Sequence, residues 1–100
     1  MTDVFYMNFN DQKDELERSA DILRVLAHPV RLQIVHQLLR KQRLNVTEIQ
    51  KILQLPQSTV SQHLYRMRNY KVVAYERKGT EIFYRVDDLQ VKQTMNILVG

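Results

Sequence analysis

Apolar residues recur every three or four positions along the first forty residues, which is the spacing of one face of an α-helix. Over residues 11–27 this stripe consists of Leu16, Ala20, Leu23 and Ala27, and it is widened by Ile22 and Leu26. The pair His28-Pro29 ends the helix, because a residue before proline avoids the α region while proline itself suits a first helical turn. We therefore predict a second helix over about residues 29–41. Its inward positions are predicted to be Leu32, Val35, Leu38 and Leu39.

Two further short helices are predicted to follow, joined by a tight turn. The first runs from Thr47 to Leu53, and we expect a capping box in which Thr47 caps the backbone and Gln50 reaches back to it. The second runs from about Gln57 to Arg68. Its apolar residues at core spacing are Val60, Leu64 and Met67. Two short helices around a tight turn form a helix-turn-helix pattern.

The periodicity changes between Val72 and Val86. The segments "VVAYERK" and "EIFYRV" are rich in β-branched and aromatic residues and flank Gly79, which predicts a β-hairpin whose tip is residues 78–80. Asp87 or Asp88 is then expected to cap a last helix. The predicted fold is therefore mainly α with a β-hairpin wing, a winged helix-turn-helix of five helices and a two-stranded wing.

We divide the chain into an N-terminal arm, residues 1–10, and one winged helix-turn-helix domain, residues 11–100. The arm is apolar, with Val4, Phe5, Tyr6, Met7 and Phe9. A domain of this size buries only a modest fraction of its surface, so an oligomer is expected. The arm either packs across a dimer or docks another protein, and we favour packing.

Charge is distributed unevenly along the chain. Residues 1–39 have a net charge of −2, residues 40–78 of +7 and residues 79–100 of −1. Clustered positive charge is typical of a protein that binds a polyanion such as nucleic acid, although a solvated basic face is the plainer alternative.

Composition excludes several other classes of protein. The chain has no cysteine, which excludes disulfides, thiolate metal sites and thiol redox sensing. No secretory leader is visible and no apolar run is long enough to cross a bilayer, so we expect a cytoplasmic protein without a membrane partner.

The basic middle segment contains the sequence "LPQSTVSQHL", whose polar residues are mostly uncharged. With Val60 and Leu64 facing the core, the polar residues at the start of this helix lie where helix-turn-helix proteins meet base edges. Cations that follow would contact phosphates, namely Arg66, Arg68 and Lys71 on or after the helix and Arg77 and Lys78 on the wing. The alternative is a capped and solvated helix start.

Three segments together resemble the ArsR/SmtB family of bacterial winged-helix repressors: "LRVLAHPVRLQIVHQLL", "LNVTEIQKILQLPQSTVSQHLYRMR" and "ERKGTEIFYRV". Within that family the chain resembles the cysteine-free, PagR-type members. The resemblance implies a homodimer built from the first and last helices and bound to a double-stranded, palindromic DNA operator. It also implies these recognition residues: Gln57, Ser58, Thr59, Ser61, Gln62 and His63.

The chain departs from this family at the sensing positions. Asn45 and Thr47 stand where many members have cysteines, and neither side chain suits a thiophilic ion. Of an acid-and-histidine pattern in the last helix only Asp88 remains, with Gln90 at a histidine position. We therefore expect no metal, no cofactor and no small-molecule effector. Lys71 replaces a frequent glycine and is expected to resist a positive φ, so that Asn69 ends the helix instead.

Most of the remaining polar and aromatic residues are interpreted as structural. His28 and His36 are interpreted as structural, Arg31 as one half of a structural ion pair, and three aromatic residues as hairpin packing, namely Tyr75, Phe83 and Tyr84. His63 is interpreted as a phosphate or base contact that would make binding sensitive to pH. No residue pattern suggests catalysis, so we do not expect an enzyme. The rival function is a winged-helix module for dimerisation or protein interaction that does not read DNA.

Overall fold

The computed structural model describes residues 2–100, and the side chains of residues 12–100. Its elements in chain order are α1 Thr2–Leu26, α2 Pro29–Lys41, β1 Leu44–Asn45, α3 Val46–Leu53, α4 Gln57–Asn69, β2 Ala74–Lys78, β3 Glu81–Arg85 and α5 Leu89–Val99. This order confirms the predicted winged helix-turn-helix. No helix within residues 2–100 combines the length and the apolar character that a bilayer crossing requires.

The predicted two-stranded hairpin is confirmed in β2 and β3, and the short strand β1 adds a third strand to the sheet. All neighbours are antiparallel in the order β1-β3-β2, and Leu44 pairs with Tyr84 at the added edge. A two-residue strand is too short to show the alternation by which strands are found in a sequence. At the predicted tip, Gly79 has a φ of 63°, a left-handed conformation that glycine adopts without steric cost.

One apolar core joins all five helices to the wing. The predicted core positions of α4, Val60, Leu64 and Met67, are completely buried. Around them lie the other buried residues, Ile22, Val25, Leu26, Ile34, Val35, Leu38, Leu44, Ile49, Val72, Val73, Tyr84, Val86, Val91 and Met95. Two predicted inward residues of α2, Leu32 and Leu39, are only partly buried against this core.

The first helix presents two apolar faces. Ile22, Val25 and Leu26 enter the core, whereas the predicted main stripe is exposed at Leu16 (68%) and Leu23 (58%). Periodicity shows that a face is apolar but not what covers it, so which of the two faces enters the core was not predictable from the spacing. Exposed apolar residues of α5 are Leu89, Ile97, Leu98 and Val99.

The N-terminal arm is continuous with α1. The helix begins at Thr2 and not at Asp11 as predicted, so the boundary between arm and domain falls within a helix. The arm's apolar side chains, on which the choice between packing and docking depends, lie outside the described residues.

The cap of α3 lies two residues earlier than predicted. Asn45 accepts a hydrogen bond from the Glu48 amide at 2.8 Å, and the Glu48 carboxylate accepts one from the Asn45 amide at 2.9 Å. This is a capping box with Asn45 and Glu48 in place of Thr47 and Gln50. Two polar pairs three residues apart could form the box, Asn45 with Glu48 and Thr47 with Gln50. The strand pairing of Asn45 with Phe83 on β3 favours the pair that begins at Asn45. The predicted cap of α5 is confirmed in Asp88, which accepts from the Val91 amide at 3.0 Å.

Lys71 follows the end of α4 in the left-handed region. Its φ is 57°, which contradicts the expectation that a non-glycine residue would resist a positive φ here. Asn69 is nevertheless the last helical residue, as predicted. This turn therefore does not require glycine. The guanidinium of Arg18 on α1 donates hydrogen bonds to the Tyr70 and Lys71 carbonyl groups of the turn.

Candidate nucleic-acid interface

The helix-turn-helix places α4 on a base formed by α3. At the turn Gln54 takes a left-handed conformation, with φ 54° and ψ 49°, and its amide donates to the Gln50 carbonyl. The amide of Leu55 donates to the same carbonyl at 3.3 Å. These bonds end α3 abruptly and fix the direction in which α4 leaves.

The start of α4 leaves its first amides without a side-chain partner. Pro56 occupies the N-cap position, and no side chain of the described residues caps the helix. The partial positive charge of a helix N-terminus suits a phosphate oxygen. The alternative that the polar residues here form a cap is therefore not favoured.

The outer face of α4 is polar and largely uncharged. Ser58, Gln62, Tyr65 and Asn69 follow one another at intervals of four, three and four residues and are all exposed. Tyr65 is 61% exposed. Sequence reasoning missed Tyr65 and Asn69 because it stopped at the first two helical turns, although the helical spacing from Ser58 would have identified both.

The other predicted recognition residues lie around this face. Gln57 is exposed at the first turn, while Thr59 and Ser61 are half-buried. The charged residues Arg66 and Lys71 are exposed, as are Arg77 and Lys78 on the wing. The structure thus brings the α4 residues onto one helix and leaves the wing cations on a separate element.

His63 lies on the side of α4 that packs toward the start of α2. Its ring centroid is 4.6 Å from that of His28, and its Nδ1 accepts a hydrogen bond from Nε of Arg31 at 3.3 Å. Burial, followed by the nearby His28 and Arg31, lowers the pKa of His63 from its ordinary value. The neutral ring is therefore favoured, with its proton on Nε2, because Nδ1 must keep its lone pair for Arg31.

Within residues 12–100 Arg31 has no carboxylate partner, so the predicted ion pair is not found there. Its guanidinium donates to the Val25 carbonyl at 3.1 Å and to His63, and neither partner carries a carboxylate. His28 has the structural role that was expected, since its Nδ1 accepts from the Val30 amide at 3.2 Å and caps α2. Burial and then the positive charge of Arg66 lower the pKa of Arg31 from its ordinary value.

An open cleft of about 410 Å³ lies beside α4 and contains both Arg31 and Arg66. The other residues that line it are Gln62, His63, Tyr65, Asn69 and Tyr70. None of these seven lining residues is acidic, so the two guanidinium groups are not neutralised within the cleft. Such a surface favours an anion of phosphate size and charge.

Arg68 connects α4 to the wing. Its guanidinium lies 4.7 Å from the ring centroid of Tyr75 on β2 and 5.5 Å from that of Tyr65 on α4. Both distances are those of cation–π contacts. Arg68 was predicted to contact phosphate, and the structure places its charged group between two aromatic rings.

The three aromatic residues of the hairpin differ in burial. Tyr84 is buried, Phe83 is half-buried beneath the guanidinium of Arg43 at 5.0 Å, and Tyr75 is 48% exposed. The prediction of hairpin packing is therefore confirmed for Tyr84 and Phe83, whereas Tyr75 also forms part of the surface beside α4.

Asp88 has both carboxylate oxygens engaged. Oδ1 accepts from the Val91 amide, and Oδ2 accepts from the Arg18 guanidinium at 3.0 Å. Partial burial works against ionisation, but the bonds from Val91 and Arg18 outweigh it, so the pKa of Asp88 lies below its ordinary value. Beside it, Gln90 donates to the Ser19 hydroxyl at 2.9 Å.

Comparison with known proteins agrees with this geometry. Residues 28–75, which span α2 to the start of the wing, match the profile described as "Bacterial regulatory protein, arsR family". The transcriptional repressor PagR of Bacillus anthracis is 47% identical over 93 residues, covering 90% of this chain and 93% of PagR. The chain belongs to the arsR family. The expected resemblance to ArsR/SmtB and PagR-type proteins is thereby confirmed.

Solved structures of the family superpose on this arsR-family protein. The crystal structure of the Bacillus anthracis PagR repressor aligns with a TM-score of 0.81 and 45% identity, covering 86% of this chain and 98% of that one. HlyU from Vibrio cholerae aligns with a TM-score of 0.79 and 31% identity, covering 84% and 90%. The repressor SmtB of Mycobacterium tuberculosis is 43% identical over 76 residues, or 76% of this chain and 56% of SmtB.

Proposed function

We propose that this protein is a sequence-specific, double-stranded-DNA-binding repressor that acts as a homodimer on an inverted-repeat operator. The observation that carries the proposal is the exposed polar face of α4, which runs from Ser58 through Gln62 to Asn69. A surface that only had to remain solvated would more often carry Lys and Glu. The printed names of the relatives PagR and SmtB, both repressors, support the same function.

The polar face has the chemistry needed to read base edges. A glutamine such as Gln62 can form two hydrogen bonds with adenine in the major groove, and Ser58 can bond to a base or a phosphate. The hydroxyl of Tyr65 and the amide of Asn69 extend the face by two further turns. In this proposal α4 enters the major groove with its N-terminal residues toward the bases.

Phosphates on both sides of the groove would meet cations. Arg66 and Arg31 line the cleft beside α4, and Lys71 follows the helix. Arg77 and Lys78 lie at the wing tip, where they would reach the neighbouring backbone or minor groove. This separation of uncharged readers from cationic flanks argues against a module that only dimerises or binds protein.

The proposed dimer forms through α1 and α5. The start of α5 contacts α1 through Arg18–Asp88 and Ser19–Gln90, and both helices expose apolar side chains such as Leu23 and Ile97. A second copy that covers them would place two α4 helices about 34 Å apart, one turn of DNA. A dimer bound over a promoter would exclude RNA polymerase from it.

Release from the operator is proposed to need neither a metal nor a small molecule. Asn45 caps α3, and Asp88 caps α5 while pairing with Arg18. By resemblance to the family, Asn45 and Asp88 stand at positions that bind metal in other members. Here both side chains form structural hydrogen bonds instead. A change of DNA affinity on titration with Zn²⁺ at fixed salt would contradict this part of the proposal.

Operator selection from a random duplex library tests the function directly. Purified protein is selected at two salt concentrations, with Zn²⁺ added in a parallel arm. An inverted repeat of fixed spacing is the expected result. Salt-sensitive binding without any sequence preference would refute specific reading and favour the rival interaction module. A reporter gene placed behind the selected site then distinguishes repression from activation, a distinction that matters because HlyU of Vibrio cholerae is named a transcriptional activator.

A further inference from the structure

A single guanidinium group joins three elements of the fold. Arg18 of α1 donates to the Tyr70 carbonyl, to the Lys71 carbonyl at 3.0 Å and to Oδ2 of Asp88 at 3.0 Å. Tyr70 and Lys71 follow the end of α4, and Asp88 is the N-cap of α5. The contacts span more than fifty residues of sequence, so only the folded chain brings these groups together.

The end of α4 is a turn that depends on its backbone bonds. The amide of Lys71 donates to the Arg68 carbonyl at 2.9 Å and that of Val72 to the Met67 carbonyl at 2.9 Å. Lys71 itself is held at a φ of 57°, which non-glycine residues rarely adopt. Carbonyl groups beyond a helix C-terminus carry partial negative charge, so a cation placed against them stabilises this conformation.

The same guanidinium reaches the start of α5. One carboxylate oxygen of Asp88 accepts the capping hydrogen bond and the other accepts a hydrogen bond from Arg18. Gln90 donates a hydrogen bond to Ser19, the next residue of α1. The helices α1 and α5 are those that expose apolar surface for a second copy. Arg18 therefore lies where the end of the reading helix meets the proposed dimer helices.

We propose that Arg18 is a positioning residue for operator reading, which fixes the end of α4 to α1 and α5. The spacing of the two α4 helices in a dimer then depends on this link. Arginine is required because its planar group serves three acceptors at once, whereas the ammonium of lysine is a point charge. The inference rests on the proposed function, since operator reading is its consequence.

The test compares three variants of the full chain. Arg18→Gln removes all three contacts, and Arg18→Lys keeps the charge without the fork. Arg24→Gln is the matched control, because it removes a cation of the same helix whose partner among the described residues is Asp21, at 2.8 Å on the exposed surface. Amide exchange of the free protein and the ratio of operator to non-specific affinity at fixed salt are measured for each.

Arg18→Gln is expected to accelerate amide exchange at Lys71, Val72 and Val73, with exchange in α2 unchanged. The affinity ratio is expected to fall by about ten-fold, the order of coupling between linked sites, while non-specific affinity changes little. Arg18→Lys is expected to recover only part of the ratio, and Arg24→Gln to match the natural protein in both measurements.

Three results for Arg18→Gln would overturn the inference. The first is unchanged amide exchange at residues 71–73, and the second is faster exchange there with an unchanged affinity ratio. The third is equally faster exchange in α2, which would make Arg18 a general stabiliser. The exchange measurement needs no DNA. If the natural protein does not distinguish the operator from non-specific DNA, the proposed function fails. Arg18 then has no role in operator reading, even if amide exchange shows that it holds the end of α4.

Discussion

Arg31 and His63 are joined by a hydrogen bond of 3.3 Å between Nε of the guanidinium and Nδ1 of the imidazole. The bond requires a neutral imidazole, since a protonated Nδ1 cannot accept it. It connects the start of α2 to α4, and it places a titratable group beside two arginines, Arg31 and Arg66, that line one cleft.

The stability of the protein is expected to fall as pH is lowered through the range below about 6.5, the ordinary pKa of histidine. The folded state lowers the pKa of His63, so the unfolded chain binds a proton where the folded chain does not. The contribution of His63 is therefore complete above the unfolded pKa and is lost as pH falls through the folded value. Urea unfolding between pH 7.5 and 5.5 measures the slope of the free energy of unfolding against pH.

The variant His63→Gln is expected to reduce this slope, and Arg31→Met to reduce it in part, because Arg31 is only the third of the three causes of the shift. Equal slopes in the natural protein and in His63→Gln would show that other groups determine the pH dependence.

Base reading is expected to depend on Gln62. Replacing Gln62 with alanine removes an exposed amide from the outer face of α4, and the loss of operator discrimination should be about 1–3 kcal/mol if both hydrogen bonds go to one base. Competition binding with single-base variants of the selected operator measures it. Gln93→Ala, an exposed glutamine on α5, is the control and should leave every ratio unchanged. Retained preference in Gln62→Ala would remove Gln62 from the reading face.

The wing cations are expected to contact phosphate without reading sequence. Arg77→Ala and Lys78→Ala should each weaken binding to all duplexes and reduce the slope of log affinity against log salt by about one. Filter binding or fluorescence anisotropy over a salt series gives the slope. Arg40→Ala removes an equal charge from the exposed end of α2, beside α5, and should leave the slope as it is. If all three variants behave alike, net charge and not wing contact is responsible.

Dimer formation is expected to depend on the exposed apolar residues of α5. Ile97 is 83% exposed, so Ile97→Glu should leave the fold of one chain intact while placing a charge in the proposed interface. Sedimentation velocity should show monomer, and operator affinity should fall with it. Gln33→Glu adds the same charge at an exposed position of α2, outside the proposed interface, and should remain dimeric. A dimer that survives Ile97→Glu would place the interface elsewhere.

The capping box of α3 predicts a contrast between two neighbouring residues. Asn45→Ala removes the acceptor for the Glu48 amide and should lower the free energy of unfolding by about 0.5–2 kcal/mol. Thr47→Ala should change it by less than about 0.5 kcal/mol, because Thr47 is exposed and does not cap the helix. Chemical denaturation of both variants decides between the structure and the cap first predicted from the sequence.

Helix boundaries set by proline and by strong periodicity were predictable because their causes are local. Pro29 begins α2 and Gln57 begins α4 where predicted, and the core residues of α4 follow directly from helical spacing. The polar face of α4 was visible for the same reason: once Val60, Leu64 and Met67 face inward, the opposite side chains must face outward.

Other features were decided by contacts between distant segments. Strand β1 exists because it pairs with β3, and Lys71 takes a positive φ in a turn whose carbonyls face Arg18. The bond between Arg31 and His63 likewise joins residues 32 positions apart. The sequence alone determined the order of elements and the polar character of the outer face of α4, since local spacing and residue type control both. Which apolar face of α1 is buried and which polar groups meet was decided only by the tertiary structure, because those choices depend on long-range packing.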